Sequence, residues 1–232
     1  MNYRLLILAI VFFVPFSVHS FMLSNTRVIY SGGQKKAPLL VKSTSKTDEV
    51  IQFWISDFIE TDTPLEEKKP SLVVFPNVIK INDGNPKYVY ISLLEGADGK
   101  NNLPQDKESI FWITARKIPL LSEESEGKPA ISIAQAVKIK VFYRPEGLED
   151  IIKRDGAEEN IVLSCSNNNL TINNKTPYIF SPTNVSIDGK ENSFIDVIYP
   201  GNNTTDINCG KEVSFNFIDD YGSERLYTYK VN

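Results

Sequence analysis

Leu103-Pro104-Gln105-Asp106-Lys107-Glu108-Ser109-Ile110-Phe111-Trp112-Ile113 is a polar turn that feeds an aromatic-rich strand. The same alternation of turn and apolar stretch extends outward from it in both directions. On the N-terminal side lie Thr26–Tyr30, Pro38–Thr44, Val50–Phe58, Leu72–Val74 and Tyr88–Leu94, and on the C-terminal side Ile131–Tyr143. Polar or Gly/Pro/Asn-rich segments separate them, among them Ser31-Gly32-Gly33-Gln34, Asn82-Asp83-Gly84-Asn85-Pro86 and Ala97–Asn102. Spaced stretches of β-branched and aromatic residues with turn signals between them predict an all-β sandwich, with about seven strands before residue 144. No long segment has helical periodicity.

The composition changes at Arg144–Ala157, which is charged, contains Pro and Gly and loses the strand alternation. It reads as a linker with a short helical turn. A second β-region follows, with strands expected over Asn160–Cys165, Asn169–Asn173, Tyr178–Phe180, Phe194–Tyr199, Lys211–Asp219 and Arg225–Val231. Asn167-Asn168-Asn169 and Asn202-Asn203 read as turns. A chain of 232 residues accommodates two domains of about 100 residues each. The expected division is a leader over 1–20, one sandwich over 21–145 and a second over 146–232. Two sandwiches on a short linker make an elbow, and the cleft between them is a favoured place for a ligand.

The first 20 residues predict export. Arg4 supplies the positive end, Leu5–Phe16 is an almost unbroken apolar run, and Val18-His19-Ser20 places small residues before Phe21. The run is shorter than the roughly 20 residues of a spanning helix. Cleavage after Ser20 removes one of the 25 cations, leaving 24 against 29 acids and a net charge of −5. That balance argues against a nucleic-acid surface. It also removes His19, the one histidine, which excludes His-based zinc sites, Ser-His-Asp triads and Cys-His dyads. The pair Cys165 and Cys209 reads as a structural disulfide in an exported protein, without the Cys-x-x-Cys spacing of a redox site. No nucleotide or metal motif is visible, and no cofactor is expected. Ser31-Gly32-Gly33-Gln34-Lys35-Lys36 lacks the spacing of a phosphate loop.

The Leu103–Ile113 segment resembles the signature of the periplasmic pilus (fimbrial) assembly chaperones: Leu-Pro-x-Asp-basic-Glu-Ser leading into an aromatic strand. Three further segments resemble the same family in the same order. They are Thr26-Arg27-Val28-Ile29-Tyr30, Lys138-Ile139-Lys140-Val141-Phe142-Tyr143-Arg144-Pro145, and Ile218-Asp219-Asp220-Tyr221-Gly222. Val74-Phe75-Pro76 and Thr176-Pro177-Tyr178 are weaker fits. The resemblance spans almost all of the mature chain. It implies two immunoglobulin-like sandwiches in an L-shaped or boomerang arrangement, located in the periplasm. The implied function is to fold and stabilise pilus subunits by donor-strand complementation and to deliver them to an outer-membrane usher. Self-association of the client-free chain is a further expectation.

The resemblance also implies roles for residues. Arg27 and Lys140 correspond to the pair that binds the client's C-terminal carboxylate, a task that suits a bidentate guanidinium beside a point charge. Glu108, Arg144 and Asp220 correspond to an ionic network across the domain interface. Ile131, Ile133, Gln135 and Val137 fall on the strand that is lent to the client. Gln135 stands where many relatives carry a large apolar residue, so the apolar stripe is interrupted. Strict alternation places Lys140 on the face opposite Ile131 and Ile133, unless a bulge intervenes. The polar loop Leu120–Pro129 is short and has no bracketing cysteines, which resembles the short-loop subclass.

Two other readings compete. A secreted receptor or adhesin of two immunoglobulin-like domains would use the Asn-x-Ser/Thr triplets at Asn169, Asn174, Asn184, Asn202 and Asn203 for glycosylation. It would also be expected to carry a Trp between its cysteines, and none lies between Cys165 and Cys209. An enzyme would have to draw acid–base chemistry from Asp106 and Glu108, which lie within the turn signature.

Overall fold

The computed structural model describes residues 20–56, 71–94, 102–119, 135–191 and 195–232. Residues 1–19 of the expected leader and the donor positions Ile131 and Ile133 lie outside them.

The first half forms two sheets. One joins β1 (Phe21–Leu23), β3 (Ala37–Ser43), β7 (Lys87–Leu93) and β5 (Leu72–Phe75) in the order β1-β3-β7-β5. The other joins β2 (Arg27–Ser31), β9 (Ala136–Arg144), β8 (Ser109–Ile118), β4 (Glu49–Ser56) and β6 (Val78–Ile81) in the order β2-β9-β8-β4-β6. Their facing sides interleave Leu39, Val41, Val89 and Ile91 with Ile51, Phe53, Ile113 and Val141, all buried. Alternation along each strand gives this result: Leu39 and Val41 point in, while Pro38 and Leu40 point away.

The second half repeats the plan. One sheet runs β10-β11-β14, from β10 (Ile161–Ser166), β11 (Asn169–Asn174) and β14 (Gly201–Asn208). The other runs β13-β12-β15-β16, from β12 (Pro182–Ile187), β13 (Lys190–Glu191), β15 (Glu212–Ile218) and β16 (Glu224–Lys230). Phe215 stacks on Phe217, and Phe180 tilts against Phe217, at the centre of this core. Cys165 and Cys209 are joined, with Cα atoms 5.9 Å apart. The chain is all-β with two sandwiches. Its α-helix among the described residues, α1 (Ile151–Arg154), sits in the linker between two 3₁₀ turns.

Five strands escaped the sequence reading: β1, β6, β12, β13 and β14. Asn202 and Asn203, expected in a turn, pair with Asn173 and Ile172 inside β14. That strand lies at a sheet edge, where a solvated polar sequence fits and an apolar stripe is not needed. Conversely, the strands expected at Tyr178–Phe180 and Phe194–Tyr199 reduce, among the described residues, to a single bridge, Phe180 with Ile198. Tyr178, Phe180 and Ile198 are apolar because they fill the core, without belonging to a ladder.

The two sandwiches meet across the outer face of β8 and β9. Ile110, Trp112 and Phe142 point away from their own core and pack with Ile179 of the second sandwich. The linker is held close. Gly32 N–H donates to the Arg144 carbonyl at 2.7 Å. A Cβ on Gly32 would stand 2.9 Å from the backbone nitrogen of Glu146, so only glycine admits this approach. The Glu149 carboxylate accepts hydrogen bonds from Ser31 Oγ and Gly33 N, which together hold its carboxyl below the usual range.

Candidate functional site

β2 and β9 pair in parallel, with Arg27 opposite Lys140. The register from β8 to β9 is continuous from Ser109↔Tyr143 to Arg116↔Ala136, so no bulge redirects β9. Odd-numbered Ile139, Val141 and Tyr143 therefore enter the first core, with Val137 packed at its margin. Even-numbered Lys140, Phe142 and Arg144 face the second sandwich. Val137 lies on the apolar stripe expected of a donor strand, and its side chain is engaged with the protein's own first core. The one strand thus carries two faces with different tasks. β2 pairs with β9 only from Lys140 onward. Among the described residues, Ala136–Ile139 are paired with β8 alone, which leaves their other edge open.

Arg27 and Lys140 line a cleft of about 510 Å³ between the sandwiches, with Thr26, Trp112, Ser181 and Asp196 also on its walls. Arg27 Nη1 donates to the Ile218 carbonyl at 2.7 Å, and its guanidinium carbon lies 5.5 Å from the Phe142 ring centroid. Its Nε is buried without a hydrogen-bond partner. Lys140 Nζ donates to Ser181 Oγ at 2.5 Å, to the Asp196 carbonyl at 2.9 Å and to Asp196 Oδ1 at 2.5 Å. Burial lowers the pKa of both cations. Asp196 partly offsets this at Lys140, and Asp220 does so at Arg27.

The interface network gathers around Arg144. Its Nε donates to Glu108 Oε1 at 2.7 Å, and Nη1 and Nη2 grip Asp220 at 2.7 and 3.0 Å. Glu108 Oε2 accepts the Ile179 N–H at 2.7 Å, so both carboxylate oxygens are used. Burial opposes the charge on Arg144, but Asp220 and Glu108 outweigh it and hold its pKa above the ordinary value. Gln135, exposed beside the open edge, accepts from Ser20 Oγ at 2.8 Å, a contact that cleavage after Ser20 would remove.

Sequence reasoning missed two participants. Arg154 pairs with Glu158 at 2.7 Å, lies 3.9 Å from Asp220 and stands over the Phe180 ring. Its i,i+4 spacing to Glu158 was the available signal, and it was lost in a linker full of charges. Asp196, which pairs with Lys140, had no signal at all.

A family model described as Pili and flagellar-assembly chaperone, PapD N-terminal domain, matches residues 20–149. A second, Pili assembly chaperone PapD, C-terminal domain, matches residues 156–229. The chain belongs to this chaperone family. Chaperone protein LpfB of Salmonella typhimurium is 32% identical over 218 residues, covering 90% of this chain and 88% of that protein. Chaperone protein FimC of Escherichia coli is 28% identical, covering 87% and 80%. The CupB2 chaperone of Pseudomonas aeruginosa superposes with a TM-score of 0.70 at 25% identity, covering 91% of this chain and all of that one. The fold is shared also with the SafB chaperone, solved in complex with the SafA pilin of Salmonella enterica, at a TM-score of 0.74 and 19% identity, over 93% of this chain and 98% of that one. No helix among the described residues is long and apolar enough to cross a membrane.

Proposed function

We propose that this protein is a periplasmic chaperone of pilus subunits that grips the client's C-terminal carboxylate with Arg27 and Lys140. Beside that grip it lends the client the open edge of β9, with Ile131 and Ile133, which precede β9 in the sequence, as further donor positions, before delivery to an outer-membrane usher. The parallel register that sets Arg27 beside Lys140 at the end of an unpaired strand edge carries this reading. An extended client strand entering along that edge gains main-chain hydrogen bonds, and the two cations fix where it stops. Glu108, Arg144 and Asp220 hold the elbow, with 21–145 and 146–232 as the two working units and 1–20 as a cleaved leader. The loop outside the described residues fits the short-loop subclass, because both cysteines lie in the second unit.

This work needs no catalysis. Glu108 has both oxygens engaged and is buried, so it is not available for acid–base chemistry with Asp106. The glycosylated-receptor reading fares worse. Asn174, one of its acceptors, is buried and bonds Tyr178 and Thr176 through its side chain. Co-expression with a pilus subunit tests the proposal. The subunit should accumulate and co-purify from periplasm with this chain, and should be degraded without it. Equal subunit yield with and without the chain would contradict it.

A further inference from the structure

Lys140 is not a free cation waiting for a client. An ammonium has three N–H donors, and each of the three is matched here to an acceptor from the second sandwich: Ser181 Oγ, the Asp196 carbonyl and Asp196 Oδ1. The ion pair is largely sheltered, with side-chain exposures of 18% at Lys140 and 21% at Asp196. Arg27, on the wall of the same cleft, is in the opposite state, with a buried Nε–H that has no acceptor. One anchor is saturated and the other is under-used.

From this asymmetry we infer that Asp196 is a resident competitor for the client's carboxylate, holding Lys140 in the empty cleft and giving it up on capture. The inference rests on the anchor reading of Arg27 and Lys140. A fourth acceptor reaching Lys140 must displace one of the three already there. Asp196 Oδ1 is the one that goes, because it alone carries a negative charge that an incoming carboxylate repels. It is also free to leave. Asp196 belongs to a segment, residues 195–199, whose one ladder contact is the bridge at Ile198, and it is already partly exposed to water.

The exchange has a consequence in both directions. Capture trades one carboxylate for another at Lys140, so the affinity is lower than a bare ammonium there would give. Release is eased by the same amount, because Asp196 re-pairs with Lys140 as the client leaves. No nucleotide is needed to strip the anchor. The residue thereby sets the balance between holding and handing over.

The test uses the mature full chain and two probes, N-acetyl-Ala-Ala with a free carboxylate and N-acetyl-Ala-Ala-amide. Binding is followed by NMR titration of the lysine side-chain amines. Asp196→Asn should bind the carboxylate probe about fivefold more tightly than the parent, the change that losing one partly sheltered ion pair produces. Its binding of the amide should not change. Asp196→Ser, which removes the carboxylate by truncation, should shift in the same direction, with circular dichroism confirming that both variants are folded. In the empty protein, acetylation of Lys140 should be faster in both variants than in the parent. Unchanged or weaker carboxylate binding in the two folded variants overturns the inference, weaker binding meaning that Asp196 positions Lys140. A parent that does not prefer carboxylate over amide, with Arg27→Ala and Lys140→Ala equal to it, overturns the anchor reading itself and this inference with it.

Discussion

The residues proposed to grip the client, Arg27 and Lys140, are cations held in poor solvent. Burial works against the charge at Lys140 and lowers its pKa. A lysine binds an anion only while protonated, so capture of a free-carboxylate peptide is present at neutral pH and lost as pH rises through the lowered value. We expect the loss to begin below the ordinary lysine pKa of about 10.4, and to move to higher pH in Lys140→Arg. A binding titration from pH 7 upward checks this, and a midpoint at or above the ordinary value would contradict it. The pairing of Arg27 beside Lys140 and the contacts of Arg144 with Glu108 and Asp220 were legible in the sequence because each residue sits in a recognisable segment. Asp196 and Arg154 were not. Asp196 touches Lys140, 56 positions away, and a single carboxylate among 29 acids carries no mark of that; Arg154 has a local partner in Glu158, but its approach to Asp220 is equally remote in the chain.

Among the elements, strands with one apolar face were legible and edge strands were not. β3 announces itself by alternation and β8 by an apolar run buried on both faces, whereas β14 is Gly-Asn-Asn-Thr-Thr-Asp-Ile-Asn, indistinguishable from a turn until β11 pairs with it. β9 shows how much one strand's parity decides. Its continuous register keeps Ile139, Val141 and Tyr143 on the apolar side and Lys140, Phe142 and Arg144 toward the cleft, and Ile131 and Ile133 share the odd numbering of the apolar positions in the sequence. Ile133→Asp is therefore expected to abolish subunit co-purification while leaving the fold intact. It removes a side chain whose burial in the client contributes roughly 1.5–3 kcal/mol and puts a carboxylate in its place, which is costly to desolvate. Subunit yield from periplasm, with circular dichroism of the variant, measures this. A normal yield would mean that the donor series lies elsewhere on the strand.

For the whole molecule, the elbow is set by few contacts: the apolar patch around Trp112 and Ile179, the tight approach of Gly32 to the linker, and the Arg144 network. Two sandwiches and a hinge segment were legible from composition, but the contact surface was not, because it uses the outward face of strands whose inward face already explains the pattern. Arg144→Ala removes the cation that bonds both Glu108 and Asp220, leaving Arg154 as the cation near Asp220, at 3.9 Å. The loss expected from breaking a buried pair is about 3–5 kcal/mol, read as a lower denaturation midpoint and a lower periplasmic level. A variant as stable as the parent would show that the network does not brace the elbow. The cleft that this bracing creates is where the central claim is tested most directly. Arg27→Ala and Lys140→Ala are each expected to be exported, folded by circular dichroism, and unable to co-purify a pilus subunit that the parent retains. If both folded variants hold the subunit at the parent's yield, the carboxylate grip does not exist and the mechanism fails.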